Sequence, residues 1–112
     1  MIEEGNVITL DNNARYLLVK EVIDPDTAKK YMLAVAITDE DYINYTEIAV
    51  FEATKDEDGE YVEKVNDKSQ VYMNVVTAAY YDMLIEENPI VEDDILEQLE
   101  EIAGIKDEES GQ

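Results

Sequence analysis

The sequence predicts an α+β domain, a curled antiparallel five-stranded meander followed by two C-terminal helices. Three observations point to it. Five short β-prone segments lie between Gly5 and Val65, joined by links too short to hold a crossover helix. A helix-type stretch without Gly or Pro follows, Ser69 to Glu87, reading SQVYMNVVTAAYYDMLIEE. Strands come first and helices after, which is the α+β order.

Gly5 to Leu10 (GNVITL) reads as a short first strand. Asp11-Asn12-Asn13 is its turn, because Asx residues tolerate the left-handed region and bond their own backbone. Arg15 to Ile23 is the second strand. Strict alternation puts Tyr16, Leu18 and Val22 on one face, and Leu17, Val19 and Ile23 on the other. Asp24-Pro25-Asp26 ends it, since Pro cannot continue a central ladder. Tyr31 to Thr38 (YMLAVAIT) is apolar on both faces and reads as the buried central strand. Asp39 to Tyr45 is a polar connection, and Glu47 to Thr54 the fourth strand. Asp58-Gly59 between two β-prone runs marks a hairpin into the fifth strand, Tyr61 to Val65.

In the Ser69–Glu87 helix, Tyr72, Val76, Ala79 and Met83 share one face at 100° per residue. Val71, Val75, Ala78 and Ile85 flank it on one side, and Met73, Tyr80 and Leu84 on the other. The apolar surface is about twice the width a surface helix needs, so two covers are expected. The sheet takes the central face and the second helix one flank. Asp67 with Gln70 three residues on forms a capping-box pattern. Asn88-Pro89 opens the second helix, which runs from about Pro89 to Ala103. Val91, Ile95, Leu99 and Ile102 form its stripe, and Gly104 its C′ residue. Residues 1–104 make a single domain, and 105–112 a flexible acidic tail.

An apolar fraction of 46% belongs to a folded chain, but 29 acidic residues against 8 basic ones leave a formal charge of −21. Such a chain repels nucleic acid and anionic membrane surfaces and favours basic protein partners. There is no Cys and no His, which removes thiol chemistry, disulfides and the commonest general base and metal ligand. The N-terminus MIEEGNV has neither a basic region nor an apolar core of signal type, and no run is long enough to span a bilayer. A cytoplasmic protein is the expectation.

The order of segments resembles the YrzB-like family of small acidic bacterial proteins, a domain of unknown function. The resemblance rests on GNVITL, YLLVKEVIDPDTAKKYMLAVAI, and the DEDGEYVEKV hairpin running into the helix. It covers roughly Gly5 to Glu87. The longer Asp39–Tyr45 link and the second helix depart from the pattern. The resemblance implies a Gram-positive bacterial origin, or a phage or mobile element of such a host. It implies no catalytic residue.

The residues point away from catalysis. Ser69 and Ser110 lack an activating His, and the four glycines are isolated rather than forming a phosphate loop. Carboxylates are so frequent that finding a pair carries no information. Asp56, Asp58 and Gly59 fail the EF-hand spacing, which needs Gly at position six and Glu at twelve. No catalytic, cofactor or metal site is therefore expected. The expected function is a non-enzymatic protein-binding module presenting acidic surface to a basic partner. Asp93, Asp94, Glu97, Glu100 and Glu101 form one face of the second helix. Neighbouring carboxylates there lie about 5–6 Å apart at Cβ, comparable to phosphates along a strand. They read either as a solvated face or as a nucleic-acid mimic that inhibits a DNA- or RNA-binding enzyme. Asp39–Asp41 and Asp56–Asp58 could extend that row. Tyr42 and Tyr45 read either as interface residues or as caps on the sheet edge. A homodimer formed through the helices is the alternative of a different class.

Overall fold

The computed structural model describes residues 2–85 and 93–104, apart from the side chains of Tyr45, Thr46, Asp93 and Asp94. Five strands run in chain order as one antiparallel sheet: β1 (Val7–Thr9), β2 (Arg15–Ile23), β3 (Lys30–Ile37), β4 (Ile43–Asp56) and β5 (Gly59–Lys64). Two helices follow, α1 (Gln70–Ile85) and α2 (Asp93–Ala103). The sheet is curled into a half-barrel, the α+β meander that the sequence predicts.

β3 is central and buried along its length, as its continuous apolar run requires. Its two faces carry side chains of different size. One face presents Tyr31, Leu33 and Val35 to the helices, in a core shared with Val19, Ile48 and Val50. The other presents Met32, Ala34 and Ala36, beside Ala49, with Ala14 and Ala53 at its margin. Small residues let this face close on itself. The rings of Tyr16 on β2 and Phe51 on β4 meet edge to face across β3, with centroids 5.1 Å apart. Adjacent strands are about 4.8 Å apart, so these rings reach each other only by leaning over the intervening alanines. The alanine-lined face is thus the inside of the curl. Ile8 and Leu10 at one edge and Val62 at the other pack against the same cluster.

Two irregularities shift the alternation. Leu18 pairs with Ala34 but Lys20 with Leu33, so Val19 is an extra residue and β2 carries a bulge. Beyond it the faces are exchanged. Val22 joins Leu17 and Val19 on the helix side, and Ile23 is exposed, unlike the strict-alternation assignment. The bulge also carries Lys20 into a buried position, its Nζ 3.8 Å from the Glu4 carboxylate. In β4, Asn44 pairs with Ala36 and Ile48 with Val35, leaving residues 45–47 extra to the ladder. The polar connection predicted over Asp39–Tyr45 is therefore shorter: pairing resumes at Ile43.

The turns follow their residues. Asn13 adopts φ 71°, and Asn12 Oδ1 accepts the Ala14 N–H. Asp24 Oδ1 accepts the Asp26 N–H across Pro25. The β4–β5 loop consists of Glu57 and Asp58, with Asp56 paired to Gly59. Gly59 sits at φ +126°, where a side chain would be strained although nothing crowds its Cβ position.

Ser69, not Asp67, caps α1: its Oγ accepts the Tyr72 N–H at 3.2 Å. Asn66 shapes the approach, its Oδ1 accepting the Lys68 N–H and its carbonyl accepting the Ser69 hydroxyl. Tyr72, Val76, Ala79 and Met83 are buried, as the helical step predicts, together with Val75 and Tyr80. Tyr72 anchors the helix, donating its hydroxyl to the Ile48 carbonyl of β4 at 3.3 Å. α2 packs against α1 and β4 through Ile95 and Leu99, both buried, and ends before Gly104 at φ 72°. Val91, the Asn88-Pro89 start and the 105–112 tail lie outside the described residues.

Three outcomes are expected. Ser69→Ala removes the cap and lowers stability by about 1 kcal/mol in urea denaturation. Ala34→Leu overpacks the inside of the curl and costs about 1–3 kcal/mol by the same measurement. Burial, and secondarily the Asp67 carboxylate, push the Tyr72 hydroxyl above its ordinary value of 10.0. A raised pKa means that its contribution is complete below the unfolded value and fades as pH climbs through the folded one. Tyr72→Phe should flatten the alkaline branch of the stability–pH profile.

Candidate functional site

The acidic face of α2 is set by its packing. With Ile95 and Leu99 turned into the core, Glu97 and Glu101 point outward and are exposed, one helical turn apart. Glu100 is withdrawn from this face. It is half-buried and accepts the Tyr80 hydroxyl at 2.6 Å, which makes it part of the α1–α2 contact. Tyr80 is packed and Tyr81 exposed, as their places on the helix predict, with the two rings edge to face. The backbones of Asp93 and Asp94 form the first turn of α2, while their side chains lie outside the described residues. Of the five carboxylates singled out, the structure aligns Glu97 with Glu101 and diverts Glu100.

This face is unfavourable to the helix that carries it. Like charges four residues apart repel, and carboxylates in a last turn oppose the macrodipole. α2 has no basic residue in its last turn and none among its 11 residues. Elsewhere the chain does pair its cations. Arg15 binds Asp41 at 2.6 Å, Lys29 lies 3.8 Å from Glu52, and Lys30 3.6 Å from Glu21.

Tyr42 is 71% exposed. It is held at the β3–β4 turn, where its N–H donates to Thr38 Oγ1 and its carbonyl accepts the Thr38 N–H. Arg15 braces the same turn by donating to the Thr38 carbonyl and the Asp41 carboxylate. Its ring therefore does not cap the sheet edge. Tyr45 lies in β4 rather than in a loop, with its side chain outside the described residues. The two tyrosines do not belong to one loop. Asp56 and Asp58 form the β4–β5 turn, Asp56 Oδ1 accepting the Asp58 N–H at 2.8 Å. Among the described residues no group of three or more acidic side chains is placed to hold a metal ion.

Two concavities of mixed polar and apolar lining were not anticipated. One, of about 290 Å³, lies between the β2–β3 turn and α1, with Val22, Ile23 and Val71 in its wall. The other, of about 770 Å³, runs between the edge strands β1 and β5, over Phe51. A meander leaves one side of its first and last strands open, and the charged Glu60 and Lys64 on the Val62 face are the sequence signal of an edge at β5. What alternation could not show is that curling turns both edges toward one groove.

No helix of the described residues is long and apolar enough to cross a membrane. Comparison with protein-family models, curated proteins and solved structures finds no match.

Glu97→Gln with Glu101→Gln should leave stability unchanged or raise it by a few tenths of a kcal/mol, by relief of repulsion. Tyr80→Phe, which strips Glu100 of its donor, should cost about 1–2 kcal/mol. Denaturant titrations of the two variants separate the exposed carboxylates from the engaged one.

Proposed function

We propose that this chain is a non-enzymatic protein-binding module that presents acidic surface to a basic partner, in the cytoplasm of a bacterium and in the manner of a YrzB-like protein. One observation carries the proposal. Glu97 and Glu101 stand exposed one turn apart on a helix that holds no cation, against mutual repulsion, and Glu101, in the last turn, also against the helix dipole. A face serving solubility alone does best with both signs interspersed. With 29 acidic and 8 basic residues, at least 21 carboxylates (29 − 8) have no cation of their own chain to pair with one to one. A basic partner supplies the missing charge and is steered to it.

The same pair supports the sharper alternative, a nucleic-acid mimic that occupies the groove of a DNA- or RNA-binding enzyme. Glu97 and Glu101 are its core, and Glu100 is not, because Tyr80 holds it. A homodimer is favoured by a different observation: α1 leaves Val71, Tyr81, Leu84 and Ile85 exposed. Leu99 does not belong to that surface. It is fully buried, so Leu99→Asp unfolds the domain rather than testing self-association.

The test is capture from lysate on the immobilised protein, followed by elution with salt. A partner should be retained at low salt, released steeply as salt rises, and lost to the Glu97→Lys/Glu101→Lys variant. Retention by that variant in high salt overturns the proposal. Sizing chromatography at high salt separates the homodimer, which persists there.

A further inference from the structure

We infer that the groove between β1 and β5 takes an extended segment of the basic partner as an added strand, paired antiparallel to β5. The inference rests on the binding-module reading and gives it a site and a ligand class.

β5 is an open edge. Among the described residues it has a ladder partner on one side only, β4, and it is exposed along most of its length. The Val65 N–H donates to the Val50 carbonyl, so by the antiparallel alternation residues 61 and 63 bond inward to β4. The amide and carbonyl groups of Glu60, Val62 and Lys64 then point into the groove. Across the groove lies β1. There Leu10 donates to Ala14, and Asn6 accepts from Leu18, which turns the main chain of Val7 and Thr9 outward. Two strand edges without a ladder partner among the described residues thus line a trough of about 770 Å³ whose floor is Phe51 and Ile8. One end of the trough is closed by Ile2, whose N–H donates to Glu60 Oε1 and whose carbonyl accepts Lys30 Nζ.

The side chains specify the occupant. Val62 faces the inside of the curl, while Tyr61 and Glu63 face outward and are exposed. A strand laid beside β5 would drop alternate residues onto Val62, Phe51 and Ile8, and hold the others beside Tyr61 and Glu63. Apolar residues suit the first set and Lys or Arg the second. Among the described residues on the groove, Asp11, Glu60 and Glu63 outnumber Lys64. A second copy of the chain is a poor occupant, because each copy carries −21 and would bring acidic residues to an acidic edge. A basic strand meets the opposite field.

The probe is an acetylated peptide of about eight residues alternating Val with Lys. A peptide of the same composition with Val and Lys in two blocks is its control. Binding is followed by amide chemical shifts of the labelled full-length chain at low salt. The alternating peptide should bind and shift Glu60–Lys64, with the blocked one at least about fivefold weaker. N-methylation of the Val amides, which face β5 in the antiparallel register, should weaken binding about tenfold, and N-methylation of the Lys amides should not. Val62→Pro should weaken it similarly. Its own N–H points away from β4, so the edge tolerates Pro. Glu63→Lys, at an exposed site, provides a variant free of folding risk and should weaken binding severalfold. If neither N-methylated peptide nor Val62→Pro changes the affinity, strand addition is wrong. If binding is instead lost only with Glu97→Lys/Glu101→Lys, the acidic-module reading stands and this site falls. If no basic peptide binds at low salt, both fall.

Discussion

The architecture depends on unequal side-chain volume across the two faces of β3. Leu33 and Val35 on one face need a deep apolar cover, and α1 and α2 supply it. Ala34 and Ala36 on the other leave space that, among the described residues, no separate layer fills. A sheet facing such a deficit lowers its exposed apolar area by curling toward the small side, which brings Tyr16 over Phe51. Curling in turn brings β1 and β5 toward each other. The groove between the edges is therefore a consequence of alanines in the middle strand.

Charge works on a different part of the molecule. The cores are apolar, and the basic residues that the structure pairs brace turns and strand ends, as Arg15 does at the β3–β4 turn. The acidic surplus is left to the outer face of α2, the turns and the groove rim. In this chain the apolar pattern decides where elements sit, and the surplus decides what may approach them. The two meet at the edge β5, where Val62 belongs to the core and Glu63 to the field.

Much of the fold was legible in the sequence. Arg15–Ile23 is bounded as predicted, and the unbroken apolar run of Tyr31–Thr38 is the central strand within one residue. The helical step over Tyr72, Val76, Ala79 and Met83 gives the buried face of α1. The failures have local causes. Alternation assumes a regular ladder, so the bulge at Val19 reversed Val22 and Ile23. Asp67 and Ser69 are both good caps by type, and the Asn66 turn gives the position to Ser69. Of the candidate site, Glu97 and Glu101 were legible from periodicity. Glu100 was not, because its position alone does not reveal that Tyr80 on another helix bonds it.

By itself the sequence determined the order of elements, the faces of the helices and the excess of negative charge. These follow from local periodicity, turn chemistry and composition, which need no knowledge of distant residues. The tertiary structure alone decided which carboxylates stand exposed, which one is engaged by another helix, and which edges face each other. Both depend on contacts between segments far apart in the chain: Tyr80 with Glu100, Tyr16 with Phe51, and Ile2 with Glu60. Such contacts are set by the volume left after packing.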